Sequence, residues 1–296
     1  MTRIAAVVLC TLAAGCVASA PRSSILVAHL AGGDGAVALE PIRAAFREAN
    51  PGYDLSFRPR TRAIVATDAP LVVFVHCGET TGSVGAADSA LGVGDVVLLR
   101  AGETLDTRDG VDALVFRLPG QLPADLPSFL RPDWDPRITD QPGGCATETG
   151  AYRRILLTWM AENGPYLCSA LNAHRVRIMD SFTHYHPRKG GFDELYLVQM
   201  AQPGARVLTS DAVAAIESRS VRAEEARELF DVTPLRAGDL VWLPRGTIHR
   251  GLGGVLAQVI AVPGFRPGTE IGVDAHLAAL NERLGLTGDA ALPVHE

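Results

Sequence analysis

Apolar residues in this chain fall in short runs bounded by glycine, proline and polar clusters, and several runs alternate with period two, as half-buried strands do. Ile25–His29 predicts a strand, followed by the turn residues Gly32-Gly33-Asp34-Gly35. Glu40–Asn50 predicts a helix. Pro41 suits its first turn, Ala44, Ala45 and Phe46 give it an apolar face, and Asn50-Pro51-Gly52 stops it. In the second half, Tyr152–Trp159 predicts a strand before the turn Asn163-Gly164-Pro165. His174–Asp180 predicts another, with Arg175 and Arg177 alternating against Val176 and Ile178. Glu194–Met200, Leu229–Leu235 and Val255–Val262 predict further strands. Val207–Arg227 reads as a partly helical excursion whose Glu217, Glu224 and Glu225, with Glu228 just after, form a solvated face. A last helix starts at Asp274 as its cap and ends at Gly285, and its stripe of Leu277, Leu280 and Leu284 would cover the strands or a dimer mate.

The pattern repeats. Gly94–Gly102 matches Gly238–Gly246 at an offset of 144, and the register holds from Pro119-Gly120 to Pro263-Gly264. Two related units follow, each ending in an apolar strand and a Pro-Gly. Between them lies a linker over 121–150, broken by Pro123, Pro127, Pro132, Pro136 and Pro142. Its Phe129 and Trp134 predict that it packs across the units. The predicted organisation is a leader over 1–16, an N-terminal unit with its lead-in over 17–120, the linker, and a C-terminal unit over 151–296.

At 296 residues and 47% hydrophobic composition, the chain can bury one large β domain or two ordinary ones. A net charge of -6, with charges mixed and no basic stripe, excludes a nucleic-acid partner. The start, MTRIAAVVLCTLAAGC, carries one arginine before an apolar run too short to span a membrane as a helix. Leu12-Ala13-Ala14-Gly15-Cys16 resembles a bacterial lipobox. The resemblance implies export, lipidation of Cys16 and a membrane anchored through that lipid alone. Val17, rather than Asp, fits the periplasmic face of the outer membrane. Cys77, Cys145 and Cys168 remain. Cys145 and Cys168 could pair in an oxidising compartment, and Cys77, inside an apolar run, reads as a small buried hydrophobe.

The chemistry concentrates in Ser181–Val198, SFTHYHPRKGGFDELYLV, and Arg236–Gly251, RAGDLVWLPRGTIHRG. His184 and His186 are two apart and share one face of a strand. Glu194 follows the turn-forming Pro187–Gly191 run and returns on the next strand, while His249 arrives from a distant one. Three imidazoles and a carboxylate suit a divalent transition metal. Asp193 is the alternative carboxylate but would face the other way. Counting by twos places Tyr196 and Val198 beside Glu194, and Leu240 and Trp242 before the end of the second stretch. Tyr196 and Trp242 are therefore candidate pocket residues, with Gln258 facing in as well. His76 reads as structural, and His174 as structural or at the pocket rim.

These residues resemble the paired motifs of the cupin superfamily. G-x5-P-x-G-x2-H matches at Gly238, Pro244, Gly246 and His249, and H-x-H followed by Glu matches at His184, His186 and Glu194. Seven residues separate His186 from Glu194, more than the common pattern, and Gly190-Gly191 would absorb them as a longer hairpin loop. The resemblance implies an all-β bicupin: two double-stranded β-helix barrels with a small αβ lead-in and a C-terminal helix. Leu105 stands where His249 stands and Arg100 where Pro244 stands, so the N-terminal barrel would be degenerate. A second offset, of 126, sets Arg58, Arg60 and Asp68 against His184, His186 and Glu194. The family implies one divalent metal (Fe, Mn, Ni, Zn or Cu) and a small oxygen-bearing ligand. It also implies either dioxygenase-type chemistry or sugar or uronate isomerisation, the latter needing a general base that the motifs do not supply. The alternative is a non-catalytic, membrane-anchored sugar- or small-molecule-binding protein. Barrel edges of this family also allow a homodimer.

Overall fold

The computed structural model describes residues 24–144 and 151–295. The leader ending at Cys16, and the Cys145 half of the Cys145–Cys168 pairing, lie outside them. The N-terminal half runs β1 (Leu26–His29), α1 (Gly35–Ala49), β2 (Asp54–Val65), β3 (Leu71–Cys77), β4 (Thr80–Val84), β5 (Ala87–Leu91), β6 (Val96–Leu99), β7 (Thr104–Arg117) and β8 (Phe129–Leu130). The C-terminal half opens with β9 (Arg153–Leu157), β10 (Asn172–Asp180), β11 (His184–Tyr185), β12 (Asp193–Ala201) and β13 (Arg206–Ser210). It continues through α2 (Val213–Glu217), α3 (Ala223–Ala226), β14 (Asp231–Pro234), β15 (Asp239–Leu243), β16 (Ile248–Val262), β17 (Ile271–Gly272) and α4 (Asp274–Leu284). The fold is all-β in its framework, with the helices laid on its outside, as the alternating pattern predicts.

The strands form a seven-stranded and a ten-stranded sheet. The sequence repeat is visible as matching pairings. Val97 lies opposite Val73, and Val241, its counterpart in the repeat, lies opposite Tyr196. Leu71 pairs with Leu99 and Arg117, while Glu194 pairs with their counterparts Leu243 and Ala261. The N-terminal equivalent of Glu194 is therefore Leu71. The second alignment, which set Asp68 there, does not hold. Asp68 is exposed and bonds Arg117, and Arg58 sits opposite Ala113, the place that Val176 holds opposite Ala257.

One edge strand crosses between the halves. β1 precedes the N-terminal sheet yet pairs with β15 of the C-terminal one, Val27 opposite Val241. The equivalent place beside β6 is filled by β8, Phe129 opposite Val97. One apolar core joins both halves: Leu39, Ile42 and Phe46 of α1 pack with Phe74 and Phe116 on one side and with Leu195, Leu197, Leu240 and Trp242 on the other. Each fully buried large side chain contributes about 1.5–3 kcal/mol, so separating the halves would be costly. The linker joins this core through Leu122, Leu126, Leu130 and Ile138. Trp134, expected to pack there, is instead 72% exposed, with Arg131 over its ring.

Two further cores fill the barrels. Val73, Val75, Val97, Leu99, Leu105 and Val115 close the N-terminal one, whereas Val176, Tyr196, Val198, Val241, Leu243 and Val259 line part of the C-terminal one. Leu277 and Leu280 of α4 are buried against Tyr185, Ile216 and Ile248, so the leucine stripe covers this chain's own strands. Asp274 does not cap α4. Its carboxylate accepts from the backbone N–H of Thr183 at 2.8 Å and of His295 at 2.9 Å, tying the helix to the segment before His184. Cys77 is exposed rather than buried, and Cys168 is buried. Among the described residues no helix is long and apolar enough to cross a membrane.

Candidate metal centre

The hairpin after His186 is built by its glycines. Gly190 has φ +82, and a Cβ on Gly191 would lie 2.2 Å from the Pro187 carbonyl oxygen, to which the Gly191 N–H donates at 3.1 Å. This tight loop returns the chain so that Glu194 enters β12 between β15 and β16. β11 lies beside β16 with His184 directly opposite His249. The Gly246 N–H donates to the His186 carbonyl at 2.7 Å, so the second motif's glycine docks on the first motif's histidine.

The result is a buried cluster. His184, His186, Glu194 and His249 each present one ligand atom, all within 4.8 Å of one another, and none is more than 2% exposed. Among the described residues it is the one such group able to hold a metal. His184 Nδ1 lies 3.0 Å from the Phe182 carbonyl and His249 Nδ1 lies 3.1 Å from the Thr247 carbonyl. A carbonyl only accepts, so each Nδ1 carries the proton and each Nε2 keeps its lone pair. Phe182 stacks on His184, and Phe192 on His186, with centroids 4.1 and 3.8 Å apart. Burial, and next the neighbouring His249, hold His184 and His186 well below the usual histidine range, so both are neutral at pH 7.

The Nε2 atoms of all three histidines and Glu194 Oε2 are buried without a hydrogen-bond partner among the described residues. His249 Nε2 and Glu194 Oε2 are 2.9 Å apart but not in hydrogen-bond geometry. Four unsatisfied buried ligand atoms converging on one point would each cost about 1–3 kcal/mol left as they are. The arrangement fits a divalent metal that all four would bind, and the donor set is of the kind transition metals take.

Asp193 faces the opposite way from Glu194, as alternation requires. It accepts from Asn50 Nδ2 at 2.6 Å, from Trp242 Nε1 at 3.3 Å, and from Arg245 through the backbone N–H at 3.0 Å and Nε at 2.8 Å. Asn50 ends α1, and Arg245 also bonds it. The αβ lead-in is thereby pinned beside the ligand strand.

The pocket expectation divides. Tyr196 lies on the ligand face, its ring edge-on to His249 at 6.4 Å. Trp242 does not. It stands opposite Leu195 in the β12–β15 register and buries in the core between the halves. Residues directly opposite in an antiparallel pair share a face, so Val241 and Leu243, not Leu240 and Trp242, stand with Tyr196 and Glu194. Gln258 also faces away, donating to the Gly94 carbonyl at 2.8 Å.

On the other side of the site sequence reasoning reached only His174, read as structural or at the pocket rim, and missed Arg153 and Glu270. A cavity of about 100 Å³ borders Glu194 and is walled by Phe192 and Phe265. Arg153, His174 and Glu270 line it too. Glu270 precedes β17, which pairs with β11 at Tyr185 and His184 and so sets the carboxyl near the cluster. Burial, and then the charge of Glu194, push its pKa up to about 7. It can hold or release a proton near neutrality. No sequence signal marks it: Gly268-Thr269-Glu270 belongs to no motif and stands far along the chain from Glu194.

No protein-family model matches the chain, and no curated protein matches it. Among solved structures, an IolB-like protein from Salmonella typhimurium matches with TM-score 0.50 and 13% identity, over 77% of this chain and 89% of that one. A cupin 2 conserved barrel domain protein from Leptotrichia buccalis matches with TM-score 0.44 and 12% identity, over 72% and 85%. An oxalate decarboxylase–formate complex from Lactobacillus farciminis matches with TM-score 0.48 and 13% identity, over 81% and 86%. At these identities the likeness concerns the fold.

Proposed function

We propose that this chain, whose all-β fold is the cupin fold, is a metal-dependent enzyme acting on a small oxygen-bearing organic molecule. The observation that carries the reading is the four-ligand cluster whose Glu194 shares a cavity wall with a second carboxyl group, Glu270. His184, His186, Glu194 and His249 would hold the metal, which supplies Lewis-acid polarisation of a bound carbonyl or hydroxyl oxygen. Phe192 and Phe265 give the cavity an apolar wall. Glu270, on the same cavity wall as Glu194, takes a proton from the substrate and can return it. Glu270 is the base that an isomerisation needs, so it favours proton-transfer chemistry over reaction with O2.

The matching strand pairings support a bicupin with one live barrel, the N-terminal one serving as packing partner with Leu71 and Leu105 where the live barrel has Glu194 and His249. Lipid anchoring through Cys16 at the cell envelope, and pairing of barrels into a homodimer, belong to the same proposal and rest on the sequence reading.

The test is exchange of substrate C–H for solvent deuterium, followed by NMR across a panel of small sugars, uronates and hydroxy acids. Exchange in the metal-loaded protein that is lost in both His249→Ala and Glu270→Gln supports the enzyme. Saturable binding without exchange by any member would replace it with the non-catalytic binding reading.

A further inference from the structure

We infer that the cavity beside the metal cluster is a binding site for a small carboxylate, gripped by Arg153 and His174. The inference rests on the metal-centred reading above for the ligand's other end, and on this chain's own residues for the carboxylate end.

The polar groups of the cavity wall are unequal. Asn172 is committed, accepting from the Phe265 N–H at 2.6 Å and donating to the Cys168 carbonyl at 2.9 Å. Thr158 is committed too, its hydroxyl accepting from the Met160 N–H at 3.2 Å. Arg153 and His174 are not. Arg153 Nε and His174 Nε2 are buried with no hydrogen-bond partner among the described residues. The far end of Arg153 is fixed by its Nη1 donating to the Gln141 carbonyl at 3.3 Å. No carboxylate of the described residues forms an ion pair with it, although Arg245 and Arg250, nearby in sequence to the ligands, each have one.

Arg153 as a whole is part-buried, but its Nε, closed off from water, is costly to leave without an acceptor. A carboxylate supplies one with the right geometry, because its two oxygens match neighbouring N–H donors. The two donors come from adjacent strands. Arg153 lies opposite Val176 and His174 opposite Ile155 in the β9–β10 register, so both side chains belong to one patch of sheet. Burial, and next the Arg153 charge, hold His174 below the usual histidine range, so its ring is neutral and can offer one N–H.

The charge balance of the whole cavity points the same way. A divalent metal outweighs Glu194 alone, and Arg153 adds a further positive charge. Glu270, even fully ionised, offsets only one of these charges. A monoanion then brings the cavity to neutrality, whereas a neutral sugar would leave one positive charge in it. The volume of about 100 Å³ limits the ligand to a small acid of a few carbon atoms. With Glu194 on the same wall, its other end lies toward the ligand cluster, and Glu270 lies within reach of the atoms between.

Glycolate and its neutral analogue glycolamide are the probes. They are titrated calorimetrically into the metal-bearing chain and into Arg153→Met and His174→Phe, with metal content measured on each sample. Glycolate should bind and glycolamide should not. Arg153→Met should weaken glycolate by about tenfold or more, the usual penalty for losing a charged hydrogen-bond partner. His174→Phe should weaken it less, and metal content should not change in either variant. Equal affinity for both probes, or an unchanged glycolate affinity in both variants, overturns the subsite. Wild-type protein that binds glycolate through Arg153 but takes up no metal would leave the subsite standing and remove the metal-centred reading instead.

Discussion

Asp193→Ala is the substitution whose cost is most fully written in the structure. Asp193 is fully buried and its carboxylate accepts from three residues: Asn50, Trp242 and Arg245. Truncation leaves the Trp242 indole N–H without its acceptor and strips Arg245 of its buried counter-charge, while Asn50 Nδ2 keeps the Phe46 carbonyl at 3.1 Å and Arg245 keeps the Asn50 side-chain oxygen. Removing one partner of a buried ion pair costs about 3–5 kcal/mol. Arg245 is 22% exposed and recovers part of this in water, which lowers the expectation to about 2–4 kcal/mol. Asp193→Asn keeps the shape and one acceptor oxygen, so it should cost about half as much. Urea unfolding of chelated protein, followed by tryptophan fluorescence, would measure both. The denaturant dependence should stay unchanged and the midpoints should fall in the order wild type, Asn, Ala. Because Asp193 adjoins Glu194, metal affinity should fall alongside stability. A loss below about 0.5 kcal/mol in the alanine variant, no more than an ordinary surface change, would refute the view that this network fixes the ligand strand.

Three further outcomes are expected. His249→Ala should abolish most metal binding while leaving far-UV circular dichroism unchanged, since the residue serves the cluster rather than the core; retained metal would remove it from the site. Leu105→His should add no second equivalent of metal, because Leu71 and not a carboxylate faces it across the N-terminal barrel, and should destabilise by about 2–4 kcal/mol through an unpaired imidazole in an aliphatic core. For Glu270 the sign is set by its raised pKa: the metal-free folded chain holds a proton up to about pH 7 that the unfolded chain releases near the ordinary glutamate value of 4.5. Stability from this group is therefore full below pH 4.5 and declines as pH rises through 7, by at most about 3 kcal/mol. Glu270→Gln should flatten that part of the chelated protein's stability curve between pH 5 and 8, and an unaltered slope would contradict the assignment.

What could be read from sequence and what could not has a simple physical division. The convergence of His184, His186, Glu194 and His249 was legible because strand periodicity and turn glycines act locally, and the internal repeat was legible because β6 and β7 share their register with β15 and β16. The face of Trp242 was not. Counting by twos along β15 says nothing of which parity faces Glu194, and only the β12–β15 register decides it. The pairing of β1 with β15, a strand from the opposite half of the chain, could not be read either, since any apolar edge could accept it. Arg153, His174 and Glu270 come from three separate segments with no shared spacing. The missing partners of Arg153 and His174, and the place of Glu270 on the same cavity wall, are displayed only by the packed structure.

The most direct test of the central claim is the metal content of purified protein beginning at Val17, measured by elemental analysis beside its His184→Ala variant. Close to one equivalent of a transition metal per chain, lost in the variant, is the predicted result. No metal in the wild type even after reloading, or the same content in both proteins, would contradict it.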